Sequence, residues 1–72
     1  MTGREWISQF AARLGVEAPD DKTIEVLLAL AADAAHGSER TAAPIACWLV
    51  GRAGVDPKAA RLVAEKIGSA LA

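Results

Sequence analysis

The sequence predicts an all-α fold, a single small domain of four short helices spanning residues 1–72. Three observations favour this fold class. Apolar residues recur at helical spacing in four segments, glycine or proline separates the segments, and no stretch alternates as a β-strand does. We expect the second and third helices to form a central antiparallel pair, because their connection is short, and the first and fourth helices to flank that pair.

The first helix is amphipathic and ends at a glycine. Trp6, Phe10 and Leu14 fall on one face, which is expected to pack against the rest of the domain. Gly15 can supply the left-handed conformation that a C-terminal cap often needs, and Val16 can fold back onto the last turn. The pattern therefore places the large side chain of Trp6 in the core.

The second helix, from about residue 22 to residue 36, is predicted to lie near the centre of the domain. Asp20 or Asp21 can accept backbone hydrogen bonds at its start. Apolar residues cover well over half of its circumference, and Leu28 among them is expected in the core. Gly37 is expected to stop this helix.

The third helix starts within residues 41–44 and ends near Ala53. It is apolar on nearly every face, so we expect it to be central too, with Leu49 in the core. Asp56 is predicted to cap a fourth helix in which Pro57 takes the first position. The apolar face of the fourth helix consists of Leu62, Val63, Ile67, Ala70 and Leu71.

Composition narrows the classes of function. A net charge of −1 gives no general attraction to nucleic acid or anionic lipid, and no apolar run approaches the length of a membrane span. A lone cysteine without a secretory signal favours the cytoplasm. No phosphate-binding loop, paired catalytic carboxylates or nucleophilic triad stands out, so the chain is not expected to be an enzyme or to require a cofactor.

The small size favours an interaction with another protein or with a second copy of the chain. Two flanking amphipathic helices offer little area to cover two central ones, so a homodimer is expected to bury the remaining apolar surface. Trp48 points away from the apolar stripe of its helix and either meets a flanking helix or reaches the surface. An exposed tryptophan would indicate a partner interface.

A polar corner, residues 33–44 (DAAHGSERTAAP), separates the two central helices and contains His36, the only histidine. Metal sites usually need three or four ligands, and His36 with Cys47 is a poor set, so no metal site is predicted. Structural roles for the corner are a His36 interaction with the helix dipole and a pairing of Asp33 with Arg40. The competing hypothesis is a partner-contact surface made of Asp33, His36, Glu39, Arg40 and Trp48.

The segment VGRAGVDPKAARLV (residues 50–63) offers an alternative function. It resembles the helix-turn-helix of bacterial repressors, in which Lys58 and Arg61 would lie on the recognition helix. However, Val50 and Ala60 depart from that motif, and the segment lacks the Ser, Thr, Gln and Asn side chains that commonly read bases. A small DNA-binding regulator therefore remains the alternative to a protein-interaction module.

Most of the chain shows a family resemblance, which is densest from residue 27 to residue 51. Its matching positions are Trp6, Leu27, Leu28, Leu30, Ala31, Asp33, Ala35, His36, Gly37, Arg40, Ala42, Ala43 and Pro44. The sequence resembles a small domain of unknown function from high-GC bacteria, members of which are sometimes attached to molybdopterin-guanine dinucleotide biosynthesis proteins. The resemblance implies an accessory role in molybdenum-cofactor metabolism, and it supplies neither an activity nor a catalytic residue.

Overall fold

The computed structural model describes the backbone of residues 1–71 and the side chains of residues 1–68. Within this part of the chain the predicted all-α fold is confirmed, since it contains four helices and no strand. The helices are α1 (Gly3–Leu14), α2 (Asp21–Gly37), α3 (Ala42–Ala53) and α4 (Pro57–Leu71). The side chains of Ala70 and Leu71, predicted to extend the apolar face of α4, lie outside the described residues.

Local hydrogen bonds define the first two helices. The Thr2 hydroxyl accepts a bond from the Glu5 N–H over 3.1 Å, while the Glu5 carboxylate accepts one from the Thr2 N–H. This capping box was not predicted from the sequence. The carboxylate of Asp20 accepts a bond from the Thr23 N–H over 2.8 Å, so Asp20, rather than Asp21, caps α2.

The helix end predicted at Gly15 and Val16 is confirmed, and Gly54 and Val55 end α3 in the same way. Gly15 and Gly54 adopt left-handed conformations, with φ of 75° and 67°. The N–H of Val16 donates to the carbonyl of Ala11 over 3.0 Å, and the N–H of Val55 donates to that of Val50 over 3.4 Å. Both ends therefore use the backbone geometry that makes glycine the favoured residue after a helix.

Two other helix boundaries depend on polar side chains. Gly37 is the last residue of α2, but its φ is not positive, and the hydroxyl of Ser38 donates to the Ala34 carbonyl over 2.7 Å. At the start of α4, the carboxylate of Asp56 accepts a bond from the Lys58 N–H over 3.2 Å, as expected of a cap before Pro57.

The second helix is the centre of the structure, because both α3 and α4 pack extensively against it. The predicted central position is thus confirmed for α2, and so is its packing against α3. In the described residues, α3 and α4 make no comparably extensive contact with each other. The first helix packs extensively against none of the others. An ion pair between Arg4 and Asp21 links the beginnings of α1 and α2.

The predicted core residues are largely at the surface. Among the described side chains, Leu30, which is 3% exposed, and Ala11 form the buried hydrophobic core. Leu28 is 64% exposed, Leu49 54% and Trp6 55%, so the prediction that these three residues are buried is wrong. The reason is that two neighbours cover only part of the circumference of α2, and neither α1 nor α3 has a helix against its outer face.

Candidate interaction surface

The α3 helix distributes its large and small side chains in the opposite way from an ordinary amphipathic helix. Its half-buried side chains are mostly small, namely Ala42, Ala43, Ala46, Cys47 and Val50. Its large side chains Ile45, Trp48 and Leu49 are exposed, and Trp48 is 62% exposed. These three lie at i, i+3 and i+4 and therefore share one side of the helix. We call Ile45, Trp48 and Leu49 the α3 face.

This arrangement follows from the way α3 packs. Small side chains on the inner side allow α3 to lie close to α2, and the bulk of the helix is then directed outward. Arg52, one turn beyond Trp48 and Leu49, is the one charged residue within α3. The α3 face is therefore a nearly uncharged apolar surface, and such a surface typically marks a site of protein association.

Two shallow grooves lie at the end of α2, and the first of them also borders the α3 face. One, of about 610 Å³, lies between α2 and α3 and includes Ala34, Ala42, Ala46 and Leu49 in its lining. The other, of about 540 Å³, lies between α3 and α4 above α2, with Leu30, Ala46, Ala64 and Ile67 among the apolar residues that line it. The first groove thus adjoins Ile45 and Leu49 of the α3 face.

The structure places the polar corner at the rim of both grooves. Glu39 lines the groove between α2 and α3, whereas Asp33 and His36 line the one next to α4. His36 lies in the last turn of α2 and is exposed, as are Glu39 and Arg40. Four of the five hypothesised contact residues, all except Asp33, thus have exposed side chains. Trp48 is the large apolar residue among them.

Asp33 is engaged within the chain. Its Oδ2 accepts a hydrogen bond from the Nε of Arg61 over 3.2 Å, which joins α2 to α4. The Oε1 of Glu65, one turn along α4, lies 3.9 Å from the same nitrogen. The predicted pairing of Asp33 with Arg40 is therefore wrong, because the fold brings a residue 28 positions away closer than one in the adjacent turn.

A comparison with protein families identifies the chain. The family described as Domain of unknown function (DUF6457) matches residues 1–72. The chain belongs to this family. No curated protein and no solved structure matches it significantly. The DUF6457 match confirms the predicted resemblance to a domain of unknown function, and the description carries no activity.

Three further features bear on function: the metal-ligating side chains, the single cysteine and the length of the helices. In residues 1–68, no group of three or more His, Cys, Asp or Glu side chains is placed to hold a metal ion. Cys47 is a free thiol, half-buried on α3. In the described residues, no helix is both long and apolar enough to cross a membrane.

The segment that resembles a helix-turn-helix has the predicted turn but a different packing. Gly54 and Asp56 form the expected bend and cap between α3 and α4. The two helices of that motif pack against each other, whereas here each packs mainly against α2. Arg61, assigned to base recognition in that alternative, is paired with Asp33. The structure thus gives DNA binding little support in this DUF6457 chain.

Sequence reasoning did not anticipate the exposed stripe on α1. Trp6 and Phe10 are stacked with ring centroids 5.0 Å apart, and both are exposed, as is Leu14 one turn further on. The periodicity correctly showed that these residues share a face. It could not show that no other helix covers that face, since coverage depends on the packing of α2 with its two neighbours.

Proposed function

We propose that this chain is a non-catalytic protein-interaction domain whose binding surface includes the α3 face. The observation that carries the proposal is the outward position of Ile45, Trp48 and Leu49 on a helix whose inner side chains are small. Tryptophan is enriched among the residues that dominate binding energy at interfaces. Large exposed apolar surfaces on soluble proteins commonly mark association sites.

The polar corner supplies the rim of the proposed surface. Typical interfaces combine a desolvated apolar centre with a polar, solvent-accessible edge. Trp48 and Leu49 provide such a centre, and Glu39 lines the groove that Leu49 also lines. His36 and Arg40 are exposed in the same polar corner. In this arrangement Asp33 supports the surface by fastening α4 to α2.

A narrower form of the proposal concerns the physiological context. The resemblance of residues 27–51 to domains attached to molybdopterin-guanine dinucleotide biosynthesis proteins favours an accessory role in molybdenum-cofactor maturation. On this proposal the domain brings proteins together and carries out no step of cofactor chemistry itself. Identification of the proteins that the domain contacts tests this narrower proposal.

Site-specific photo-crosslinking in the native cell tests the function. A photoreactive phenylalanine analogue replaces Trp48 in one variant and Ser8, on the polar side of α1, in the control variant. We expect irradiation to produce discrete crosslinked products from position 48 and none from position 8. Mass spectrometry of the products then identifies the crosslinked protein. Equal or absent crosslinking at the two positions would contradict the proposal.

A further inference from the structure

The isolated chain has a larger solvent-accessible surface than a compact folded monomer of its mass. Its accessible surface is 5,647 Å² for 7.5 kDa. Folded monomers of that mass expose about 4,200 Å², so the chain exposes about 1,400 Å² more than expected. Its radius of gyration of 13.0 Å likewise exceeds the value of about 11 Å expected for a folded domain of this length.

This excess matches what each subunit of a permanent dimer buries. Two copies that each lose about 1,400 Å² would bury about 2,800 Å² together, within the range of obligate homodimers and above that of most transient complexes. Apart from Leu30 and Ala11, the described side chains are exposed or half-buried, so the chain alone has little core. A permanent dimer would complete that core.

The α3 face has the features that two-fold pairing requires. A symmetric interface uses the same patch on both copies, so the patch must contain both protrusions and hollows. Trp48 is exposed on this face, and Ile45 and Leu49 line one side of a groove whose floor includes Ala34 and Ala46. The face itself is uncharged, and the net charge of the chain is only −1, so two copies would meet with little electrostatic repulsion.

From these observations we infer that the partner covering the α3 face is a second copy of this chain. The two copies pair about a two-fold axis beside α3, so that Ile45, Trp48 and Leu49 of each copy contact α3 of the other. The inference rests on the proposed interaction function and names its partner. In this dimer the exposed stripe of α1 lies outside the central contact.

Sedimentation equilibrium of the full chain tests the inference, with variants that each add one carboxylate. Leu49→Asp puts a charge into the proposed interface. Ser8→Asp puts the same charge on the exposed polar side of α1, away from the α3 face. Circular dichroism of each sample reports whether the helices are retained.

We expect the wild type and Ser8→Asp to sediment at twice the chain mass of 7.5 kDa. Leu49→Asp should weaken dimerisation by at least about 30-fold, as loss of a central interface residue does. Either a helical monomer or an unfolded monomer for Leu49→Asp supports the inference. The Ile45→Asp variant repeats the test at a second position of the face.

A wild-type chain that is helical and monomeric at about 0.5 mM, well above typical homodimer dissociation constants, would overturn the inference. An apolar dye, 8-anilinonaphthalene-1-sulfonate, then separates this failure from failure of the proposed function. Dye binding that is reduced in Leu49→Asp but not in Ser8→Asp would leave an interaction surface for another protein. Unchanged dye binding in all three would overturn both proposals.

Discussion

Arg61 on α4 donates a hydrogen bond from its Nε to the Oδ2 of Asp33 on α2 over 3.2 Å, and this pair is the polar link between the two helices. The side chains are 43% and 30% exposed, so solvent screens much of the attraction. We expect the pair to contribute about 0.2–1 kcal/mol to the free energy of unfolding.

A double-mutant cycle measures that contribution. The variants are Asp33→Ala, Arg61→Ala and the double variant, each unfolded with urea at one fixed protein concentration. A matched cycle with Arg40→Ala in place of Arg61→Ala is the control, and its coupling energy should be within error of zero. Coupling of Asp33 with Arg40 but not with Arg61 would contradict the structure.

Two glycines near the end of α3 should respond in opposite directions to the same substitution. Gly54 has a φ of 67°, a conformation that costs a residue with a Cβ about 1–2 kcal/mol, so Gly54→Ala should lower the stability by about that amount. Gly51 lies inside the helix with open space beside it, and Gly51→Ala should raise the stability by about 0.5–1 kcal/mol. Thermal unfolding of both variants checks the signs. A stabilised Gly54→Ala variant would show that the turn is not left-handed.

The cap of α2 should make stability depend on pH in the acid range. Hydrogen bonding from Thr23, by its side chain and then by its backbone N–H, lowers the pKa of Asp20 below its ordinary value of 3.8. A carboxyl group whose pKa is lowered in the folded state stabilises that state above the unfolded pKa. The stabilisation is lost as the pH falls through the folded pKa.

Two substitutions at position 20 separate the charge from the cap. Asp20→Ala should lower the urea midpoint at pH 7 and come closer to the wild type as the pH falls below 3.8. Asp20→Asn retains a capping oxygen and should show less loss of stability over the same acid range. A constant difference between wild type and Asp20→Ala from pH 7 to pH 2 would contradict this assignment.

The exposed residues of the polar corner should matter more for association than for folding. Because the side chains of His36 and Arg40 are exposed, His36→Ala and Arg40→Ala should each change the free energy of unfolding by less than about 0.5 kcal/mol. As rim residues they should weaken self-association by less than about tenfold each. A stability loss of about 1 kcal/mol with unchanged association would assign them to fastening the turn instead.

The helix boundaries were predictable because local chemistry determines them. The pair Gly15 and Val16, and the pair Asp56 and Pro57, carry their structural role within two adjacent residues. The partner of Asp33 was not predictable in this way. Arg40 is near Asp33 in the sequence, but Arg61 reaches it only after α4 has packed against α2.

The core was mispredicted because periodicity does not distinguish large apolar residues from small ones. On α3 the alanines face inward and Ile45, Trp48 and Leu49 face outward, although all of them count as apolar in the pattern. The sequence does contain a relevant signal, namely two apolar central helices with too few flanking residues to cover them. That signal predicted self-association without indicating which face was left open.

Isotope-filtered nuclear Overhauser spectroscopy tests the central claim most directly. An equal mixture of ¹³C,¹⁵N-labelled and unlabelled chains reports only contacts between one copy and the other. The inferred dimer predicts intermolecular cross-peaks between the indole protons of Trp48 and the methyl groups of Ile45 and Leu49. A mixture of folded chains that gives no intermolecular cross-peak to the α3 face would contradict the claim.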